Sequence, residues 1–320
     1  GKWSIPTPLV ETINSEYDEG ASSLNKKANT LFFTRCRFEK NKKLGCQIYS
    51  AKKKGVNWDV PTLLNIAPDS VDVKHPSLSA DETTLYFTAT MPGGYGGRDI
   101  WMAKREKKNK PFSEPINLGP EINTKGNEAF PYIHSNGNLY FSSDYHLGMG
   151  GLDIFVAEKG EDEKWKISNL QYPINSAKDD FGAIYEGTKD KGFFTSNRRG
   201  GKGGDDIYSF MLPPKLFSIE GFVKNEKTDG VILGSKVKIM GDDGFTLEMK
   251  TEADGSFKFK LKPEVDYVIT AQMEGYLLGK INESTKGLDE NKDFYANFTL
   301  SPIVKFTEIP LPNIEYGYNK

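Results

Sequence analysis

Acidic or Asn-Glu pairs recur at one place in a repeating pattern, as Asp18-Glu19, Asn127-Glu128 and Asp179-Asp180. Neighbouring carboxylates can trade a proton as acid and base, or gather a cation. If the segments that carry them converge on an axis, these positions lie near the rim of a channel and could hold a cation or a peptide. Lys74-His75 is read as the counterpart in a further segment, which breaks the ring of carboxylates. Asp and Asn just ahead of a strand also serve as turn and cap residues, and that is the simpler use of them. His75, His134 and His146 fall in different segments, without metal-like spacing or a neighbouring cysteine pair. The chain has no Gly-x-Ser-x-Gly elbow, no helix-borne His-Glu pair and no phosphate loop, so hydrolytic and nucleotide chemistry lack their minimal parts. No catalytic residue, metal or cofactor is expected.

The glycine-rich runs have a structural reading. Gly93-Gly94-Tyr95-Gly96-Gly97 and Gly200-Gly201-Lys202-Gly203-Gly204 are each followed by an Asp two residues on, Asp99 and Asp206. A loop that cradles phosphate needs a helix after it, whereas strand patterns follow here. Glycine supplies positive φ in such a turn, and Asp99, Asp153 and Asp206 can accept hydrogen bonds from loop amides.

Cys36 and Cys46 sit on two apolar strand patterns, 31–37 and 45–51. An antiparallel register that sets Thr34 opposite Ile48 also sets Cys36 opposite Cys46. Direct opposition suits the ~3.8 Å Cβ separation of a disulfide, worth roughly 2 to 3 kcal/mol for so short a loop. Two free thiols in a reducing compartment are the alternative.

The elements that position these residues are strands. The chain has 320 residues, 37% hydrophobic and 12% aromatic, with 32 Gly and 17 Pro, which suits many short strands joined by tight turns. Its formal charge of −2 provides no basic field for nucleic acid, and no apolar stretch approaches a membrane span. Lysine clusters at 40–43, 52–54 and 104–110 read as solvated hairpin tips. Trp3-Ser4-Ile5-Pro6, Trp58-Asp59-Val60-Pro61 and Phe112-Ser113-Glu114-Pro115 recur every 54 to 55 residues, with a weaker copy at Trp165. Asp99-Ile100-Trp101, Asp153-Ile154-Phe155 and Asp206-Ile207-Tyr208 form a second marker, and Leu31-Phe32-Phe33-Thr34, Leu85-Tyr86-Phe87-Thr88 and Leu139-Tyr140-Phe141-Ser142 a third. Each unit then holds four short antiparallel strands that cannot cover both faces alone, which predicts an all-β fold with a β-propeller over residues 1–212. Four blades are expected, with the strand at Trp3 completing the blade that ends at Tyr208.

After Pro213-Pro214 the markers stop. Period-two alternation at Phe257, Phe259 and Leu261 and the turn Asp254-Gly255 predict a β-sandwich of about seven strands over 215–301, with residues 302–320 as linker and the start of a further domain.

The repeats resemble WD-repeat-like, TolB-type propeller units. Gly221-Phe222-Val223, Thr251, Asp254-Gly255-Ser256-Phe257, Tyr267 and Gly275-Tyr276 resemble the carboxypeptidase-regulatory-like domain, a transthyretin-like sandwich. Residues 309–320 are similar to the opening strand of an OmpA-type domain, with Gly317 where that family has Asp. Together these are similar to OmpA-family envelope proteins of Bacteroidetes associated with type IX secretion and gliding. The resemblance implies a non-catalytic periplasmic scaffold, associated with the outer membrane through a lipid anchor upstream. Its partners would be other envelope or secretion proteins, with peptidoglycan held only by a C-terminal domain outside this chain. Tyr95, Tyr145, Arg198 and Arg199, on exposed loops, are the candidate partner-binding residues, because aromatic and Arg side chains concentrate interface energy. A propeller that binds a peptide or carbohydrate at its channel mouth is the alternative.

Overall fold

Each repeat unit folds as an up-and-down meander, because its apolar runs are only a turn apart. The computed structural model describes residues 4–39, 42–160, 162–187, 189–288 and 290–304. Among them every regular element is a strand, and no helix is long and apolar enough to cross a membrane. The first sheet holds β1 (Asp18–Leu24), β2 (Thr30–Glu39), β3 (Lys42–Lys54) and the short β4 (Asn57–Trp58) and β5 (Thr62–Leu63), both of which pair with β3. The second holds β6 (Val73–Leu78), β7 (Thr84–Ala89), β8 (Asp99–Lys104) and β9 (Ile116–Asn117). The third holds β10 (Glu128–Ile133), β11 (Leu139–Ser143), β12 (Asp153–Lys159) and β13 (Trp165–Asn169). The fourth has three strands, β14 (Asp180–Tyr185), β15 (Lys191–Ser196) and β16 (Asp206–Met211). Successive sheets pack through their first strands, β1 on β6, β6 on β10 and β10 on β14, a propeller-like arrangement.

The first strand of every sheet carries a bulge at one position. Register slips at Gly20/Ser22, Lys74/Ser77, Ala129/Tyr132 and Phe181/Ile184. The residue that absorbs the slip has positive φ: Ala21, His75, Phe130 and Gly182. Counting from the bulge, the partners of Asp18-Glu19, Asn127-Glu128 and Asp179-Asp180 in the second sheet are Asp72-Val73. The sequence comparison with Lys74-His75 is therefore corrected, because it ignored where the bulge falls.

The expected closing strand is also corrected. Trp3 lies outside the described residues, residues 4–10 form no strand, and the fourth sheet ends at β16. Every other outer strand directly follows its sheet's third strand in the chain. Residues 4–10 have no such tether to β16, Pro6 and Pro8 cannot donate to a ladder, and the end sheets show no packing comparable to the β1–β6 contact.

After Leu212 the chain enters a second compact unit. It holds β17 (Phe217–Asn225), β18 (Lys236–Gly241), β19 (Thr246–Lys250), β20 (Ser256–Leu261), β21 (Asp266–Gln272), β22 (Gly279–Ser284), β23 (Lys292–Tyr295) and β24 (Phe298–Leu300). One sheet runs β20-β17-β23 with β24 also on β17, the other β19-β18-β21-β22. Phe217, Ile219 and Val223, with Phe257, Phe259 and Leu261, share one core with Val237, Ile239, Tyr267, Ile269 and Ala271 of the other sheet. The turn at Asp254-Gly255 has Gly255 at φ +80 and the Ser256 amide donating to Asp254 Oδ1 at 2.9 Å. The segment 309–320 that resembles an OmpA-type strand lies outside the described residues.

In the first sheet, β2 and β3 pair with Thr34 opposite Ile48 and Cys36 opposite Cys46, and the two sulfurs are bonded. In alkylation mass spectrometry neither thiol should react before reduction and both should react after it. Reduction should lower the unfolding free energy by about 2 to 3 kcal/mol. Two thiols that react without reductant would contradict this.

Candidate functional site

The loops between the second and third strands of the second, third and fourth sheets lie at one end of the first unit, and each is closed by an aspartate. Asp99 Oδ2 accepts from the Tyr95 amide at 2.7 Å and from Asn117 Nδ2 at 2.7 Å. Asp153 Oδ2 accepts from Met149 and Gly150 at 2.7 and 2.8 Å, and Asp206 Oδ2 from Lys202 and Gly203 at 2.8 and 3.1 Å. A carboxylate that accepts two loop amides fixes the backbone and leaves the loop side chains outside. Tyr95, Tyr145 and Met149 are exposed, and Leu147 is 94% exposed. The site that the geometry presents is this rim of pinned loops bearing apolar side chains.

The repeated acidic positions face inward instead. Glu19, Glu128 and Asp180 accept from a Ser or Thr four residues earlier: Ser15 Oγ to Glu19 at 2.5 Å, Thr124 Oγ1 to Glu128 at 2.6 Å and Ser176 Oγ to Asp180 at 2.8 Å. A basic side chain stands beside each. Arg35 bonds Glu19 at 2.8 Å and donates to the carbonyls of Thr12 and Ile13 at 2.9 and 3.1 Å, its guanidinium lying over Phe33 and Tyr49. Arg198 repeats this with Asp180, the carbonyls of Pro173 and Ile174, and the rings of Phe194 and Tyr208. His146 takes the place in the third sheet, with Nε2 donating to Ile122 O at 2.9 Å near Glu128. Burial pushes the Glu128 carboxyl up, against the hydrogen bonds of Thr124 and Ser143. In the second sheet, buried Val73 and half-buried Met91 form an apolar version within one core. These groups clamp the chain entering each sheet, and their protons and lone pairs are spent on one another.

Of the candidate partner-binding residues, the structure places Tyr95 and Tyr145 on the exposed rim, with Arg199 exposed beside the fourth loop. Arg198 is turned into its clamp. Asp99, Asp153 and Asp206 share the loop-closing role. Sequence reading missed a fourth marker that was visible in it: Ile13-Asn14-Ser15, Ile122-Asn123-Thr124 and Ile174-Asn175-Ser176, each five residues ahead of the acidic pair. The Ile carbonyls of this marker are what Arg35, His146 and Arg198 hold.

Where the first strands meet, the bulge side chains stack. The His75 ring lies 3.9 Å from Phe130, and Phe130 lies 4.9 Å from Phe181. The Phe130 amide donates to His75 Nδ1 at 3.2 Å, so the neutral ring accepts there. Burial, then the charges of Arg98 and Lys74, hold the His75 imidazole down at about 3. No group of three or more His, Cys, Asp or Glu suited to a metal occurs among the described residues. A cleft of about 750 Å³ between the second and third sheets is lined by Tyr86, Lys104, Lys159 and Trp165, at the end opposite the glycine loops.

No family model matches the chain, and no curated protein matches its sequence. Among solved structures the chain is similar to TolB from Acinetobacter baumannii at 14% identity and TM-score 0.40, over 85% of this chain and 53% of that one. A puromycin-hydrolyzing peptidase of Mycobacterium tuberculosis aligns at 16% identity and TM-score 0.38, over 61% of this chain and 27% of the other. Hydroxyquinol 1,2-dioxygenase from Pseudomonas putida DLL-E4 aligns at 10% identity and TM-score 0.24, over 29% of this chain and 58% of its own. The chain thus spans less than two thirds of each of these proteins.

Two predictions concern the clamps and the stack. Arg198→Met should cost about 3 to 5 kcal/mol in chemical denaturation, because it leaves Asp180 buried and uncompensated. The double variant Asp180→Val/Arg198→Met, which copies Val73 and Met91, should recover most of that loss; additive losses would contradict the clamp. For His75, the unfolded ring takes its proton near 6.5 and the folded ring only near 3. Between those values the unfolded state binds more protons, so stability falls as pH drops, by about 1.4 kcal/mol per pH unit. His75→Phe should remove that part of the slope in urea melts between pH 4 and 6.5, and an unchanged slope would contradict the assignment.

Proposed function

We propose that this chain is a non-catalytic scaffold of the bacterial cell envelope that binds other envelope proteins through the loop rim of its first unit. The observation that carries this reading is the pairing of immobile loop backbones, closed by Asp99 and Asp153, with exposed Tyr95, Tyr145, Leu147 and Met149. Rigid loops lose little entropy on binding, and aromatic anchors supply much of the energy of protein interfaces. Resemblance of the repeats to TolB-type propeller units, and of 215–301 to a transthyretin-like regulatory sandwich, supports an envelope setting of the type IX secretion or gliding kind. The Cys36–Cys46 bond suits an oxidising compartment such as the periplasm. In this reading the four sheets serve as blades, and contact with peptidoglycan would come from outside the described residues.

Tyr145→Ser/Leu147→Ser alters only exposed side chains and should leave the melting temperature within about 2 °C of the parent. Crosslinking followed by affinity capture from an envelope fraction should recover envelope proteins with the parent and lose them with the variant. Equal recovery by both would contradict the loop rim as the binding face.

A further inference from the structure

One seam is built three times inside the first unit. Between the second and third sheets, Asn123 Oδ1 accepts from the Ile100 amide at 2.7 Å and Nδ2 donates to the Ile100 carbonyl at 2.9 Å. The Leu118 amide adds a bond to the same carbonyl at 3.2 Å. Between the third and fourth sheets, Asn175 repeats both bonds to Ile154 at 2.8 Å, and Leu170 donates to Ile154 O at 3.1 Å. Between the first and second, Leu64 donates to Ile48 O at 2.8 Å and Asp72 accepts from the Cys46 amide. Ile48, Ile100 and Ile154 are fully buried in the core of the following sheet. The approach is so close that a Cβ on Gly96 would overlap the Thr124 carbonyl, and one on Gly150 the Lys178 carbonyl.

The two ends of the array carry the two unjoined halves of this seam. On β16, Ile207 stands where Ile100 and Ile154 stand and is 76% exposed, Met211 is exposed beside it, and the strand's outer edge has no neighbour among the described residues. Gly203 and Gly204 occupy the places of Gly96-Gly97 and Gly150-Gly151, yet no atom crowds the points their Cβ atoms would take. At the other end, Leu9, Ile13 and Asn14 have the spacing of Leu118, Ile122, Asn123 and of Leu170, Ile174, Asn175. Ile13 is seated in the first sheet's core and its carbonyl is held by Arg35, while Asn14 and Leu9 are exposed. The turn that would cover Gly203-Gly204 carries Glu16 and Asp18, opposite Arg199 and Lys202 of the loop.

From these halves we infer that the β16 end of one copy joins the β1 end of a second copy, rebuilding the seam between molecules. Asn14 then pairs with the Ile207 backbone, Leu9 donates to the Ile207 carbonyl, and the 15–18 turn lies over Gly203-Gly204. Closure within one copy would require the end sheets to meet, which means re-angling three seams that are already satisfied; joining a second copy disturbs none. The contact is head to tail, so it makes rings or open chains. It is independent of the envelope reading.

Sedimentation velocity on the whole chain across a wide concentration range tests this. The parent should form dimers and larger species as concentration rises. At Gly203, which lacks positive φ, a Cβ meets only ordinary van der Waals neighbours, Asp205 O at 3.7 Å and Asp206 Oδ1 at 4.0 Å. Gly203→Val should therefore melt like the parent and yet remain monomeric or weaken association about tenfold or more. Asn14→Arg should likewise be monomeric alone. Mixing the two should give a one-to-one dimer that grows no further, since only one intact half-seam remains on each. A parent that stays monomeric, or variants that associate like the parent, would overturn the proposal. A monomer whose Ile207 amide resists hydrogen exchange would also overturn it, by showing closure within one copy.

Discussion

A single four-stranded sheet with two apolar faces must be covered on both, and its neighbour must arrive without stranding backbone groups between them. In the first unit that requirement falls on the third strand of each sheet. Ile100 and Ile154 bury their side chains in the next sheet, while their amides and carbonyls point at a place where no strand continues. Asn123 and Asn175 meet those groups with side-chain amides, which have the donor and acceptor of a peptide unit. A buried donor or acceptor left unmade costs about 1 to 3 kcal/mol, so two such pairs outweigh many surface contacts. The clamps of basic side chain and carboxylate then fix the Ile carbonyl one residue before each Asn, and the aspartate-closed loops present the glycines that let the backbones approach.

Much of this was legible in sequence. The strand markers at Phe87, Phe141 and Phe194 fall on the second strands, and those at Asp99, Asp153 and Asp206 open the third strands. Alternating or continuous apolar runs specify strands, and period decides the element before contacts do. The register of β2 on β3 followed from the same alternation. Asp99, Asp153 and Asp206 were readable as loop acceptors because a glycine run supplies amides and nothing else.

What stayed hidden depended on atoms far apart in the chain. The bulge at His75 shifts the second unit's register, so aligning Lys74-His75 with the acidic pairs looked natural, and only backbone geometry shows Asp72-Val73 in that place. The Ile-Asn-Ser/Thr marker was present, but its second unit reads Ala67-Pro68-Asp69, which blurs it, and its partner lies in the preceding sheet. Arg198 looked like a surface anchor because Arg in a loop is normally solvated. Its inward turn follows from Asp180 and two ring faces brought to it by other strands. Composition likewise could not say that residues 4–10 lack a sheet to join.

The seam's dependence on a side-chain amide is the centre of this account, and Asn175→Leu tests it directly. The change keeps the branched four-atom outline of the side chain, adds volume and removes both bonds to Ile154. Equilibrium urea unfolding should show a loss of about 1 to 3 kcal/mol despite the added apolar surface. An unchanged or higher unfolding free energy would show that packing alone joins the sheets and would contradict the account.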